Sequence, residues 1–150
     1  MTDITVDQYF GQFANHPDAT DLRRAAAAAM LEQVNKARAA AEDDGVTFLI
    51  NPHTGNYISG NGHGGFRPED CSVGADNSPH KDAHAVDSYD PERIFAKWCR
   101  SHESVLADLG LHMEREEWTP TWVHLQDIPP RSGKIVFVPS SSPPLASSLA

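Results

Sequence analysis

The feature that most constrains the fold is a long helical segment from Asp18 to Asp44. Thr20 or Asp18 can act as its N-cap, because both side chains accept hydrogen bonds from the free N–H groups of a helix start. Gly45 supplies the stop. One face has helical spacing: Leu22, Ala25, Ala26, Ala29, Met30, Gln33 and Val34. The run of alanines from 25 to 29 indicates high helix propensity and has no functional content.

Length and composition predict a single globular domain. The chain has 150 residues, of which 39% are hydrophobic and 22% charged, enough to bury a core without disulfides. The 21 acidic and 12 basic residues give a formal net charge of -9. This charge repels phosphate backbones, so nucleic acid is not an expected partner.

Shorter elements surround the long helix. The residue patterns predict a small amphipathic helix over Val6 to Phe13, strands over Val46 to Ile50, Asn56 to Ser59, Trp122 to Leu125 and Ile135 to Val138, and one or two helices from Pro91 to Gly110. We therefore expect an α+β fold in which helices flank a small antiparallel sheet, with the functional site at the open face of the sheet.

Two segments have no regular pattern. The glycine-rich stretch between Gly60 and His80 is about twenty residues long, and a loop of that length in a compact domain usually has a function. The segment 139–150 is rich in serine and proline and has linker composition. We expect the domain to cover 1–138 and the tail to become ordered only on a partner surface.

The N-terminal residues and the two cysteines indicate in which cellular compartment the protein is expected. The first residues, MTDITVDQ, lack the basic flank and apolar run of a secretory signal, and no window approaches the ~20 apolar residues that span a bilayer. We expect a protein made in the cytoplasm, without a membrane partner. Cys71 and Cys99 form no C-x-x-C motif and are predicted to be free thiols.

A candidate metal site begins in the segment S-P-H-K-D-A-H-A-V-D, which places His80 and Asp87 seven positions apart around a turn. Zinc binds imidazole nitrogen and carboxylate oxygen, and a catalytic zinc needs a third protein ligand and one open position. His124, in T-W-V-H-L-Q, is the candidate for that ligand. The chain has eight histidines, so spacing alone leaves a chance association open.

These residues resemble the S-x-H-x-x-G-x-A-x-D signature of the zinc D-alanyl-D-alanine carboxypeptidase and dipeptidase family. Ser78, His80, Ala85 and Asp87 match it. In that family the third ligand is a histidine of a later strand, usually preceded by an aromatic residue, and W-V-H-L is similar to that element.

A second stretch, I-S-G-N-G-H-G-G-F-R-P-E-D, resembles the S-G-Y-R-x-P segment of the same family with an insertion. The resemblance implies that Arg67 faces a substrate carboxylate, a task that suits a guanidinium, and that Ser78 also contacts substrate. P-R-S-G at Pro130 to Gly133 is similar to the small bacteriophage members of the family.

The resemblance implies a hedgehog/DD-peptidase-like fold, one bound Zn²⁺ and a hydrolase that cleaves D-alanine-containing stem peptides in cell wall degradation. Such a metallopeptidase would be found in the host cytoplasm before lysis, or in the virion. The alternative is a virion structural or assembly component that keeps the fold and the zinc with little or no activity, and whose Ser/Pro tail docks on a neighbouring virion protein. A zinc-binding module for a small ligand unrelated to the wall is a third reading, since fold alone does not determine function.

Two positions depart from the family pattern. The general base is commonly an acidic residue three positions before the last histidine, and here that position is Thr121, which cannot accept the proton. The candidate substitutes are His84, Glu114, Glu116 and Glu117, of which His84 and Glu117 are selected as weak candidates. Ala83 replaces the signature glycine, at a cost of ~1 kcal/mol if that residue is left-handed.

Overall fold

The structure is a computed structural model that describes residues 2–75 and 77–139. It begins with helix α1, Val6–Phe10, followed by a 3₁₀ turn at Gly11–Phe13. Thr5 and Gln8 form a capping box at the start of α1. The predicted N-terminal helix is therefore present, and its Tyr9 and Phe10 side chains are buried.

Helix α2 spans Asp21–Asp43. Thr20 is its N-cap, since Thr20 Oγ1 accepts a hydrogen bond from Arg23 N at 3.2 Å. The predicted face is wrong by about one position: Leu22 is 82% exposed. The buried face comprises Ala27, Met30, Leu31, Val34, Ala37, Arg38 and Ala41. In a run of alanines all sides of the helix are equally apolar. The run therefore could not indicate which side of the helix is buried.

Four strands form one sheet: β1 Ala85–Tyr89, β2 His112–Glu114, β3 Trp122–Gln126 and β4 Val136–Phe137. Their order is β1-β3-β2-β4. β3 is antiparallel to both β1 and β2, whereas β4 is parallel to β2. The α+β class is confirmed, but the expectation of a purely antiparallel sheet is wrong, because the chain leaving β3 crosses to the far side of β2 instead of turning back in a hairpin.

Two helices, α3 at Ile94–Ser101 and α4 at Glu103–Asp108, connect β1 to β2 along the chain. The two Asp90 carboxylate oxygens accept hydrogen bonds from Phe95 N and Ala96 N, at 3.0 and 2.8 Å, and so satisfy the first free donors of α3. Gly110 follows α4 with φ 71°. The predicted helical region ending at Gly110 is confirmed.

The predicted strands Val46–Ile50 and Asn56–Ser59 are wrong. Asn51 pairs with Asn56, and Ile58 with Ser88, but only as single bridges. The first segment is also buried only in part: the Phe48 side chain lies inside the core, with its ring 4.9 Å from that of Phe95, whereas Leu49 and Ile50 are exposed. A short apolar run does not specify a strand partner.

The core lies on one side of the sheet, where α2 contacts β1 and α3 contacts β3. Cys71 and Cys99 are free, as predicted. Within the described ranges, none of the helices is both long and apolar enough to cross a membrane. Residues 140–150 of the predicted tail lie outside the described residues.

Candidate metal centre

A row of four side chains crosses the sheet, one from each strand. Asp87 of β1 lies opposite His124 of β3. Met113 pairs with Leu125, so the next residue, Glu114 of β2, falls beside His124. Phe137 of β4 pairs with Glu114 and completes the row.

Side chains alternate between the two faces of a strand, so the flanking residues point the other way. These are Val86, Met113, Val123 and Leu125, all completely buried in the core. The pleat of the sheet thus separates an apolar core face from a face that bears a carboxylate, an imidazole and a second carboxylate side by side.

His80 reaches the same face from a 3₁₀ turn, Pro79–Asp82, immediately before β1. Ser78 Oγ caps this turn by accepting a hydrogen bond from His80 N at 3.2 Å. Ala83 ends the turn in the left-handed conformation, φ 62° and ψ 34°. The alanine at the glycine position of the signature therefore does adopt the backbone that alanine disfavours.

The three predicted ligands come together in the fold. His80, Asp87 and His124 are all buried, and one ligand atom of each lies within 4.8 Å of the others. Asp87 Oδ1 is 3.2 Å from His80 Nε2 and 3.1 Å from His124 Nδ1. This donor set, two imidazoles and a carboxylate, is a common one for catalytic zinc.

The two ring nitrogens of His80 have different surroundings, which favour a cation beside Nε2. Its Nδ1 lies 2.8 Å from the Gly65 carbonyl oxygen, which can only accept, so the ring proton belongs on Nδ1. The remaining nitrogen, Nε2, is buried and has no hydrogen-bond partner among the described residues. A buried, unpartnered lone pair directed at a carboxylate and a second imidazole fits a metal ion.

The charges around His124 are strongly coupled. Burial works against the charged ring, but Glu114 and Asp87 outweigh it and raise the pKa of His124 to about 9. Burial likewise opposes the Asp87 carboxylate, yet His80 and His124 hold the pKa of Asp87 far below its ordinary value. Burial lowers the pKa of His80. Two carboxylates therefore lie beside a buried imidazole, and a proton would compete there with any metal ion.

The glycine-rich loop supports the site with its backbone. Gly64 O accepts the Asp87 N–H at 2.8 Å. A Cβ at Gly64 would lie 2.2 Å from Ser59 O, and a Cβ at Gly65 would lie 2.2 Å from Tyr9 O. Only glycine permits these approaches, so the loop can pass between α1 and β1 and present the Gly65 carbonyl to His80.

Arg67 lies in the same recess as the three ligands, with Trp118, Trp122 and Arg131 also among the lining residues. Arg67 Nε donates to His63 O at 2.6 Å, and Nη2 is 3.5 Å from Asp87 Oδ2. Ser78 also lines the recess, although its hydroxyl is occupied as a cap. Substrate contact by Arg67 and Ser78 stays a prediction.

Neither the usual base position nor three of the four candidate substitutes lies in this recess. Thr121 is exposed. Three others form ion pairs: His84 Nδ1 with Asp127 Oδ1 at 2.7 Å, Glu116 with Arg100 at 2.8 Å and Glu117 with Arg115 at 2.9 Å. None of these four lines the recess. They are poorly placed to act on a group held there.

Glu114 is the exception. It lines the recess, and its Oε2 lies 3.3 Å from His124 Nδ1. It does not belong to the group of three whose ligand atoms are mutually within 4.8 Å. Glu114 is therefore a carboxylate beside the candidate metal centre, the position that a general base requires.

Comparison with known protein families, with curated proteins and with solved structures finds no match to this chain.

Proposed function

We propose that this chain is a zinc-dependent peptidase that hydrolyses D-alanine-containing stem peptides of peptidoglycan. Its ligands are His80, Asp87 and His124, as the resemblance to the zinc D-alanyl-D-alanine carboxypeptidases implies. The observation that carries the proposal is the row Asp87, His124 and Glu114, in which a second carboxylate lies beside a buried ligand pair, with Glu114 Oε2 3.3 Å from His124 Nδ1.

Zinc, when bound, polarises a peptide carbonyl and lowers the pKa of water toward ~7. Glu114 provides the complementary step: its Oε2 takes a proton from the attacking water and returns it to the leaving amine. A positioned carboxylate of this kind contributes roughly 10²–10⁴-fold in rate. This assignment removes the objection raised by Thr121, because the base comes from a neighbouring strand and not from the histidine strand.

The recess also suits a peptide that carries a carboxylate. Arg67, Arg131, Trp118 and Trp122 are all among its lining residues. Arginine pairs with a carboxylate through two parallel N–H donors. A stem peptide ending in D-alanine has the required terminal carboxylate. The P-R-S-G segment suggests a bacteriophage protein, for which the substrate would be the peptidoglycan of the bacterial host.

Hydrolysis can be tested directly. The zinc-loaded protein is incubated with a synthetic stem pentapeptide ending in D-alanyl-D-alanine and with intact peptidoglycan, and the products are identified by mass spectrometry. We expect cleavage that stops on chelation and returns with added zinc. Asp87→Ala is the matched inactive variant, and Thr121→Val, which alters only the position outside the recess, should retain full activity.

Stoichiometric zinc without cleavage of any stem peptide would contradict the peptidase and favour the assembly component. In that case the site would serve stability, and zinc removal should lower the melting temperature with no loss of a chemical activity.

A further inference from the structure

Gln126 lies at the end of β3, two residues after His124 and on the same face. It is buried, and its side-chain amide makes two hydrogen bonds. Gln126 Oε1 is 2.7 Å from His124 Nε2, and Gln126 Nε2 is 2.9 Å from the Ile128 carbonyl oxygen. The amide therefore bridges the imidazole and the backbone beyond the strand.

The Ile128 bond determines which way the amide faces. A backbone carbonyl only accepts, so the NH₂ end of Gln126 must point to Ile128 and the oxygen must point to His124. A flipped amide would place two acceptors together at Ile128 and bring a donor group toward the imidazole.

The orientation of Gln126 in turn determines the proton on His124. Gln126 Oε1 can only accept, so His124 Nε2 must carry a hydrogen. In the neutral ring the lone pair is then on Nδ1, which is the nitrogen 3.1 Å from Asp87 Oδ1. Gly65 acts on His80 in the same way but selects the other nitrogen, leaving Nε2 as the free lone pair.

We propose that Gln126 is the positioning residue of the metal centre: its amide holds His124 as the Nε2–H tautomer, so that Nδ1 binds the metal, while the Gly65 carbonyl holds His80 to bind through Nε2. This inference rests on the metal centre of the proposed function but not on the hydrolytic activity. Partners of this kind typically contribute 10- to 100-fold in metal affinity.

The test uses two substitutions of unequal effect. Gln126→Leu keeps a similar volume and removes the acceptor, so we expect the zinc Kd to rise by about 10- to 100-fold in a competition titration with a chromophoric chelator. Gln126→Glu retains an acceptor for the Nε2 proton, and we expect it to restore affinity to within a few-fold of wild type. Gln33→Leu, at a half-buried glutamine of α2, is the control and should bind zinc normally.

A spectroscopic measurement on the unmodified protein keeps the proposal testable if a variant fails to fold. Long-range ¹H–¹⁵N correlation spectra of the zinc-loaded protein should show a proton on His124 Nε2 and on His80 Nδ1. Zinc coordination by His124 Nε2 would overturn the proposal, as would a Gln126→Leu variant with wild-type affinity or a Gln126→Glu variant as weak as the leucine variant.

These outcomes are separable from the proposed peptidase. Zinc bound through His124 Nδ1 in a protein that cleaves no stem peptide would contradict the enzyme and leave the role of Gln126 standing. An active enzyme in which Gln126→Leu has no effect on zinc affinity would support the peptidase and contradict the role of Gln126.

Discussion

Asp87 and His124 are directly opposed residues of the β1–β3 ladder, and Asp87 Oδ1 lies 3.1 Å from His124 Nδ1. Opposed residues of an antiparallel pair project from the same face with a nearly fixed Cβ separation. The register of the sheet therefore determines the relative positions of two of the three proposed ligands. The position of His80 depends instead on the conformation of a turn. Sites built on paired strands hold their geometry better than sites built on loops.

Replacing Glu114 separates zinc binding from catalysis. We expect Glu114→Gln to reduce the rate of stem-peptide hydrolysis by roughly 10²–10⁴-fold while zinc content stays near one ion per chain, because the base is lost and the ligands are kept. The rate is measured by product formation and the zinc by elemental analysis. Glu117→Gln is the matched control, since Glu117 pairs with Arg115 away from the recess. Equal losses in the two variants would exclude Glu114 as the base.

Removing one ligand should abolish metal-dependent stabilisation. Zinc at 100 times its Kd should stabilise the native protein by about 2.7 kcal/mol, seen as a higher melting temperature that chelation reverses. His80→Ala should show no such increase. His53→Ala, at an exposed histidine outside the cluster, should respond like wild type. If His80→Ala responds as strongly as wild type, His80 is not a ligand.

Arg67 should affect zinc binding as well as substrate binding. Its guanidinium lies 3.5 Å from Asp87 Oδ2, so we expect Arg67→Ala to weaken zinc binding by about tenfold through loss of a partner that orients the ligand. Arg131 lines the same recess, but it is exposed, and no other described residue forms a hydrogen bond or ion pair with its side chain. Arg131→Ala should therefore raise KM alone, and a change in its zinc affinity would contradict this division of roles.

Arg38 should be a major determinant of stability. It is fully buried in α2, donates to Thr2 O through Nε and Nη2 at 3.2 and 2.7 Å and to Ser88 Oγ through Nη1, and lies 3.8 Å from the centre of the Phe48 ring. We expect Arg38→Met to reduce the free energy of unfolding by about 2–4 kcal/mol, because it leaves the buried Ser88 hydroxyl and the partly buried Thr2 carbonyl oxygen without their donor.

Urea denaturation measures the effect of Arg38→Met. The comparison is Lys36→Met at an exposed position of the same helix, which should change stability by less than about 0.5 kcal/mol. Similar losses in both variants would mean that the burial of Arg38 is not what stabilises the protein.

The two thiols should differ in reactivity. Burial raises the pKa of the Cys99 thiol well above its ordinary value, and the side chain is fully buried, whereas Cys71 is partly exposed. Thiolate is the reactive form, so iodoacetamide at pH 8 should label Cys71 in the native protein and Cys99 only after unfolding. Peptide mapping by mass spectrometry gives the site. Labelling of both at equal rates in native protein would contradict the buried position of Cys99.

Sequence patterns identified the elements whose signals are local. Thr20 and Gly45 mark the ends of α2 because capping depends on the residues next to the helix terminus. The five-residue strand containing His124 was also found, since its apolar alternation is read within one segment. Strands β1 and β2 were both missed, and with β2 the reason to choose Glu114 over Glu116 or Glu117.

The sequence by itself determined the chemical types and approximate positions of the proposed ligands, His80, Asp87 and His124, because a motif is a property of neighbouring residues. Only the tertiary structure decided that Glu114 stands beside His124 and that Gln126 faces its other nitrogen. Strand register and amide direction depend on hydrogen bonds between segments distant in sequence or on backbone geometry beyond the motif, and no local pattern encodes them. The proposed base, Glu114, therefore lies one strand away from the histidine strand.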